Sequence, residues 1–282
     1  MEDALDAFPD FLSEEPSTTL IRSTVGTGKT KTLRKILASL AQSGANLPCT
    51  IWVSYRKTLS NESEAKLKEL EKFDFEVGQY QNIVADLKTC VVQVESILRL
   101  DFQGGRSCIA ILDEANATMR QMASGVHARE SFNAMRDLLN VATHVVAMDA
   151  FANDSTLAFL KSYRGENVRV IDNKYQPRKG EIVKFLYDPD KGSEAICRGF
   201  RMLQEGKHVA FVMTSCKKAR ALANQASKLQ KPDGSFILSR VYFGQMDGKQ
   251  RQDDFANIDA TWSALDCVIY TSTVVCGSWH LL

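Results

Sequence analysis

Short apolar runs alternate with stretches of helical periodicity through the first 175 residues. Such alternation marks a parallel sheet covered by helices, an α/β fold. It predicts strands over Thr19–Ser23, Thr50–Ser54, Val91–Glu95, Cys108–Leu112, His144–Met148 and Val168–Ile171. Between the first two, KTKTLRKILASLAQSG sets Leu33, Ile36, Leu37, Leu40 and Ala41 on one helical face. Gly44 then supplies the left-handed residue that ends such a helix. A second helix is expected around Glu62–Lys72, charged on most sides and facing water.

The stretch Asp172–Gly180 (DNKYQPRKG) combines a Pro, a Gly and several cations, and reads as a linker. After it the alternation restarts. A strand is expected over Glu181–Tyr187, a helix over Glu194–Glu205 stopped by Gly206, and a strand over His208–Met213. A helix over Cys216–Leu229 and strands over Ile237–Phe243 and Val268–Thr271 follow. The predicted organisation is an acidic segment 1–17, a first α/β unit 18–175 and a second unit 176–282. Eleven residues after Thr271 are too few for another helix and strand, so the second unit is expected to be small or cut short.

Apolar residues make up 44% of the 282-residue chain and charged residues 24%, the balance of a folded globular protein. No apolar run approaches the ~20 residues a membrane-spanning helix needs. The opening MEDALDAFPDFLSEEPS lacks the basic-then-apolar profile of a secretory leader. An intracellular protein with no membrane partner is expected. The formal charge of +1 sets up no overall field toward a polyanion, so any nucleic-acid contact must come from a local groove. Seven cysteines are scattered without a C-x-x-C pair or a neighbouring His pair, most of them in apolar runs. Buried free thiols are expected, and no structural zinc.

Chemistry concentrates at Ser23–Thr30, STVGTGKT, between the first strand and the first helix. Gly26 and Gly28 allow the backbone of Thr24, Val25, Gly26, Thr27 and Gly28 to fold around phosphate oxygens, N–H groups inward. Lys29 can reach the terminal phosphates, and the Thr30 hydroxyl can take a Mg²⁺ position. The core Gly-x-Gly-Lys-Thr would arise by chance in roughly one chain of this length in a hundred. Ser23 stands where the strict pattern has glycine. Downstream, CIAILDEAN ends an apolar strand with Asp113 and Glu114. A carboxylate at that edge can hold Mg²⁺, and its neighbour can accept a proton from an attacking water. The pair of motifs points to nucleotide hydrolysis rather than phosphoryl transfer to a small substrate.

DEAN resembles the D-E-A-D/H box of superfamily-two helicases, and STVGTGKT resembles their first motif. WVSYRKTLS (Trp52–Ser60) looks like their segment Ia, VVQVESILRL (Val91–Leu100) like Ib, and AMDAFAN (Ala147–Asn153) holds the motif III position. In the second unit FVMTSCKKARALA (Phe211–Ala223) resembles motif IV and DCVIYTSTVVCGS (Asp266–Ser278) motif V. The combination is similar to the herpesvirus-type replication origin-binding proteins, over about residues 18 to 278. The resemblance implies two RecA-like units of the P-loop NTPase type and ATP as nucleotide. It assigns Lys29 and Thr30 to phosphate and Mg²⁺, Asp113 to Mg²⁺ and Glu114 to catalysis. It sets Arg56 and Ser96 on the DNA-tracking face of the first unit, Thr214 and Thr271 on that of the second, and Gly277 near the nucleotide. Asp149 would help couple the halves. DNA, replication proteins and a nuclear location are implied as partners and place.

The family pattern continues to a motif VI whose arginines reach the γ-phosphate, a contribution of ~10³–10⁵ in turnover in related NTPases. No candidate follows Gly277-Ser278, and the last arginine is Arg251. The chain is thus expected to be cut short after motif V. Three readings follow: an ATP-dependent DNA helicase or translocase core, a non-catalytic nucleotide- and DNA-binding fragment, and a P-loop kinase of a small substrate. The second α/β unit argues against the kinase. Blander roles compete for several residues. Arg56 and Lys57 can begin a solvated loop, Lys217, Lys218 and Arg220 can form a solvated helix face, and Trp52, Trp262 and Trp279 can serve as core or cover.

Overall fold

In the first unit, Met1–Pro177, seven strands pair in parallel. They are β1 (Ser17–Ser23), β2 (Cys49–Ser54), β3 (Val77–Gln79), β4 (Thr89–Gln93), β5 (Cys108–Asp113), β6 (Ala142–Asp149) and β7 (Arg169–Asn173). Their order is β3-β4-β2-β5-β6-β1-β7. The computed structural model describes residues 7–45, 48–55, 77–79, 89–100, 108–124, 128–177, 179–182, 185, 187, 192–244, 246, 248–256 and 258–271. The helix expected around Glu62–Lys72 lies outside them.

Period-two alternation sorts each strand's side chains onto two faces. Leu20, Val53, Val92, Ala110, Leu112, Val145 and Ala147 point to one face. There they meet Met122 of α2 (Ala115–Ser124), Met135, Leu138 and Leu139 of α3 (Ala128–Val141), and Leu160 of α4 (Asp154–Arg164). Ile21, Trp52, Val91, Ile109, Ile111, Val146 and Met148 point the other way, against Leu33 and Leu37 of α1 (Lys29–Gln42). Burial on both faces explains the nearly unbroken apolar runs. Ala7, Phe8 and Phe11 join the α1 face, so part of the acidic N-terminal stretch is core. His144 secures that stretch: its Nε2–H donates to the Ser13 carbonyl at 2.9 Å, and its Nδ1 accepts from the Ser17 hydroxyl at 2.8 Å.

Two sequence expectations shift here. β4 ends at Gln93, and Val94–Arg99 winds as a 3-10 helix where strand was expected to reach Glu95. Val94 and Ile97 are both fully buried, and a three-residue repeat is what brings them to one side. β7 continues into the expected linker because Arg22 and Ser23 of β1 offer partners to Asp172 and Asn173. The half-buried Arg164 staples the unit's lower edge. Its guanidinium donates to Thr18 Oγ1 at 3.0 Å and to the carbonyls of Leu139, Ala142 and Thr143 at 2.7, 2.8 and 3.1 Å.

The second unit, Arg178–Leu282, holds β8 (Val209–Val212), β9 (Ser239–Tyr242) and β10 (Cys267–Tyr270), parallel in the order β8-β10-β9. One face packs on α5 (Ser193–Gln204) and α6 (Cys216–Ala226) through Leu203, Ala219, Leu222, Cys267 and Ile269. The other carries Tyr242, Val268 and Tyr270 against Phe255 of α7 (Gly248–Ala256) and Ile258 of α8 (Ile258–Ser263). The strand expected over Glu181–Tyr187 is corrected. Its described residues, Glu181, Ile182, Phe185 and Tyr187, are irregular, and Phe185 is 93% exposed. Alternation there is not matched by a pairing edge among the described strands. Cys90, Cys108 and Cys267 are buried free thiols, each pushed up to about 12 chiefly by burial. Cys197 is exposed, against expectation, because it lies on the solvent side of α5. Among the described residues no helix is long and apolar enough to cross a membrane.

Candidate functional site

Parallel strands deliver their carboxyl ends to one edge of the sheet, where ligands of such folds bind. β1, β6 and β5 lie side by side, so Ser23, Asp149 and Asp113 end neighbouring strands there. The turn after β1 leads directly into α1. Gly26 and Gly28 both take left-handed φ, 80° and 82°. A Cβ at Gly28 would meet nothing within 4 Å, so glycine is required there for its backbone angle and not for space. The Gly28 carbonyl opens the helix by accepting from the N–H of Thr32 at 2.8 Å.

Lys29 is the first residue of α1 and only 7% exposed. Its Nζ donates to the carbonyls of Ser23 at 2.8 Å and Thr24 at 3.2 Å. Among the described residues no carboxylate bonds it, so the ammonium sits inside the loop against neutral oxygens. An anion in the loop would complete this arrangement. Thr30, on the same first turn, is half-buried. With Asp113 it offers the hard oxygen donors that suit Mg²⁺, so the residues present fit a metal-bound phosphate group.

Asp113 is the buried last residue of β5. Glu114 follows with φ 51°, the one non-glycine with positive φ among the described residues. A left-handed glutamate costs ~1–2 kcal/mol, and such strain gathers at functional sites. α2 begins at once: the Thr118 N–H donates to the Glu114 carbonyl at 2.9 Å, and the Thr118 hydroxyl donates to the Asp113 carbonyl at 3.1 Å. The Glu114 carboxyl is raised to about 7, chiefly by burial, with Asp113 and Asp149 adding to the rise and Lys29 opposing it. Lys29, Asp113, Glu114 and Asp149 therefore share one electrostatic environment. Asp149 accepts the backbone N–H of Asn116 at 2.7 Å, and Asn116 Nδ2 donates to the Phe151 carbonyl at 3.1 Å.

The outer residues are less concentrated. Arg56 and Gly277 lie outside the described residues. Ser96 sits half-buried on the 3-10 helix Val94–Arg99. Thr214 is exposed just past β8, and Thr271 is buried just past β10, the neighbouring strand. These two stand together at the carboxyl edge of the second sheet. Trp52 is fully buried core, and Trp262 stacks on Tyr270 with centroids 5.9 Å apart. Trp279 lies outside the described residues. Lys217, Lys218 and Arg220 are exposed on α6, with the Arg220 guanidinium 5.7 Å from the Phe243 ring centroid.

Sequence reasoning passed over two residues of this edge, Asn116 and Asn173. The Asn116 backbone N–H donates to Asp149, and Asn173 Nδ2 donates to Ser23 Oγ at 2.9 Å. Asn116 was visible only as the last letter of DEAN. Asn173 carried no signal, since it lay in what read as a linker.

The sequence model of the family described as "Origin of replication binding protein" matches residues 6–183. A protein named for a helicase/primase complex in African swine fever virus (isolate Tick/Malawi/Lil 20-1/1983) is 25% identical over 274 residues. That match covers 94% of this chain and 23% of the relative. An Acanthamoeba polyphaga mimivirus protein named for replication-origin binding is 23% identical, covering 98% of this chain and 34% of its own length. The replication origin-binding protein of Equine herpesvirus 1 (strain Ab4p) is 32% identical over 180 residues, 60% of this chain and 20% of that protein. The chain thus spans about a quarter of the length of the first of these curated relatives. Among solved structures, S. cerevisiae Dbp5 bound to RNA and ADP BeF3 superposes with a TM-score of 0.65 at 15% identity, over 94% of this chain and 68% of that one. Mycobacterium smegmatis helicase Lhr, bound to ssDNA and AMP-PNP, gives 0.61 at 13% identity, over 97% of this chain and 42% of that one. Their likeness is one of fold, and it agrees with the RecA-like α/β class expected from the sequence. With its family match over residues 6–183, this chain belongs to the origin-of-replication-binding protein family.

Proposed function

We propose that this chain binds ATP with Mg²⁺ on its first unit and forms the ATP-driven core of a DNA helicase or translocase acting in DNA replication. One observation carries the reading: a left-handed glycine loop holding a buried lysine lies on the same sheet edge as Asp113, Glu114 and Asp149. Family membership and relatives named for origin binding support the link to replication and DNA.

In this reading the loop from Thr24 to Gly28 wraps the phosphates with its backbone N–H groups. Lys29 turns its ammonium from the Ser23 and Thr24 carbonyls to the terminal phosphates, and the start of α1 adds its own N–H groups. Thr30 and Asp113 hold Mg²⁺, which when bound offsets charge on the phosphate oxygens. Glu114 accepts the proton of the attacking water, a task suited to a carboxyl that titrates near neutrality. Asp149, through Asn116, keeps the start of α2 and thus Glu114 in place. Ser96, Thr214 and Thr271, with Arg56, are the proposed contacts to the DNA backbone.

ATP hydrolysis measured with and without single-stranded DNA tests the reading, with Lys29→Ala and Glu114→Gln as controls. DNA-stimulated hydrolysis lost in both variants supports it. Nucleotide binding lost in Lys29→Ala without any hydrolysis in the parent protein would leave a binding fragment and sink the motor.

A further inference from the structure

The phosphate loop is tied to the strand by which the chain leaves the first unit. Ser23 of β1 stands opposite Asn173 of β7 in the sheet register. Their side chains extend the pairing, with Asn173 Nδ2 donating to Ser23 Oγ at 2.9 Å. Thr27 Oγ1 has a single proton and donates it to the Thr24 carbonyl at 2.8 Å. The 2.6 Å contact between Ser23 Oγ and Thr27 Oγ1 must therefore run from serine to threonine. A directed relay results, Asn173 to Ser23 to Thr27 to the loop backbone at Thr24.

The same asparagine also shapes the exit. Asn173 Oδ1 accepts the N–H of Tyr175 at 3.0 Å, while Thr24 Oγ1 donates to the Tyr175 carbonyl at 2.8 Å. Two residues later, at Pro177, the first unit ends. Ser23 is 2% exposed, so no bulk water stands ready to replace Asn173 as its donor. The Ser23 carbonyl is also an acceptor of Lys29 Nζ, which places the relay one hydrogen bond from the lysine. The strict loop pattern has glycine at this position, and glycine has no hydroxyl to take part.

We infer that Asn173 is a positioning residue of the phosphate loop, acting through Ser23 on the loop and Lys29 and tying both to the chain at Tyr175. The inference rests on the nucleotide-binding reading above. Linkage makes the tie reciprocal: whatever a phosphate ligand does to order the loop also orders the turn at 173–175.

The test compares the full chain with Asn173→Ala, Ser23→Ala and the double variant. Three quantities are read: amide hydrogen exchange over residues 24–30 without nucleotide, Kd for a fluorescent ATP analogue with Mg²⁺, and the thermal midpoint. Each single variant should speed loop exchange and weaken the analogue about fivefold, the scale of one lost hydrogen bond. The double variant should be no weaker than Asn173→Ala, because one path is broken once. A lower midpoint with unchanged loop exchange and Kd within about twofold of the parent overturns the inference. Ser23→Ala removes a single oxygen and carries the test if Asn173→Ala does not fold. Should the parent bind no analogue, or Lys29→Ala bind it equally well, the nucleotide reading fails instead. The tie is then judged by nucleotide-free exchange alone, where an unchanged rate in both single variants rejects it.

Discussion

The carboxylate of Asp149, at the end of β6, accepts the backbone N–H of Asn116, the second residue of α2, at 2.7 Å. A charged acceptor at a helix N-terminus satisfies an orphan donor and meets the positive end of the helix dipole. It also accepts the N–H of Phe151. One buried carboxylate thus joins the segment after β5 to the segment after β6. Asp149→Ala should cost about 2–3 kcal/mol, since it leaves two N–H groups unpaired. It should also lower the Glu114 titration, to which Asp149 contributes upward. Urea unfolding and a pH titration of the variant check both effects, and an unchanged midpoint would count against the bond.

Glu114 makes stability depend on pH. Its carboxyl is raised from 4.5 to about 7 in the fold. Below about 4.5 it is protonated in folded and unfolded chains alike. Between that value and about 7 the folded chain keeps a proton that the unfolded chain has lost, so its contribution to stability falls as pH rises. Glu114→Gln removes this dependence. In metal-free, nucleotide-free protein the variant should gain on the parent steadily from pH 4.5 to 7 and hold its lead above. A difference that stays flat over this window refutes the assignment.

Arg164→Ala should destabilise the first unit by about 3 kcal/mol. Four acceptors on β1, α3 and β6 lose a charged donor at once, and those out of reach of water stay unpaired. Arg164→Lys should recover little, because an ammonium lacks the planar fork that reaches four oxygens. Thermal midpoints of the two variants give the comparison.

Gly199 lies inside α5, where alanine would ordinarily gain ~1 kcal/mol. Here a Cβ would come within 2.3 Å of the Phe211 ring. That ring is itself packed edge-on against Phe200, at 6.0 Å between centroids. Overpacking of this kind costs ~1–3 kcal/mol, so Gly199→Ala should lower the midpoint of the second unit. A rise would show that Phe211 moves aside freely.

Legibility in the sequence followed burial. β2, β5 and β6 are covered on both faces, and each wrote itself as a largely apolar run whose position could be read directly. β7 is an edge strand of half-exposed residues, RVIDN, so its second half read as linker. The loop and the Asp113–Glu114 pair were visible because their chemistry restricts residue types. Their fastenings were not. Asn173 and Ser23 are 150 residues apart, and only the register of β7 on β1 brings them together. The left-handed turn at Glu114 likewise leaves no trace in residue type, since glutamate ordinarily avoids it.

β5 also works as a gauge of fixed length. Ala110 and Leu112 are locked into one layer while Ile109 and Ile111 are locked into the other. Adding or deleting a single residue between Cys108 and Asp113 would force these pairs to trade layers or would displace the carboxylate along the strand. Substitutions within the strand can be absorbed by repacking. Changes in its length cannot, and the position of Asp113 is therefore protected by the counting of residues more than by their identity.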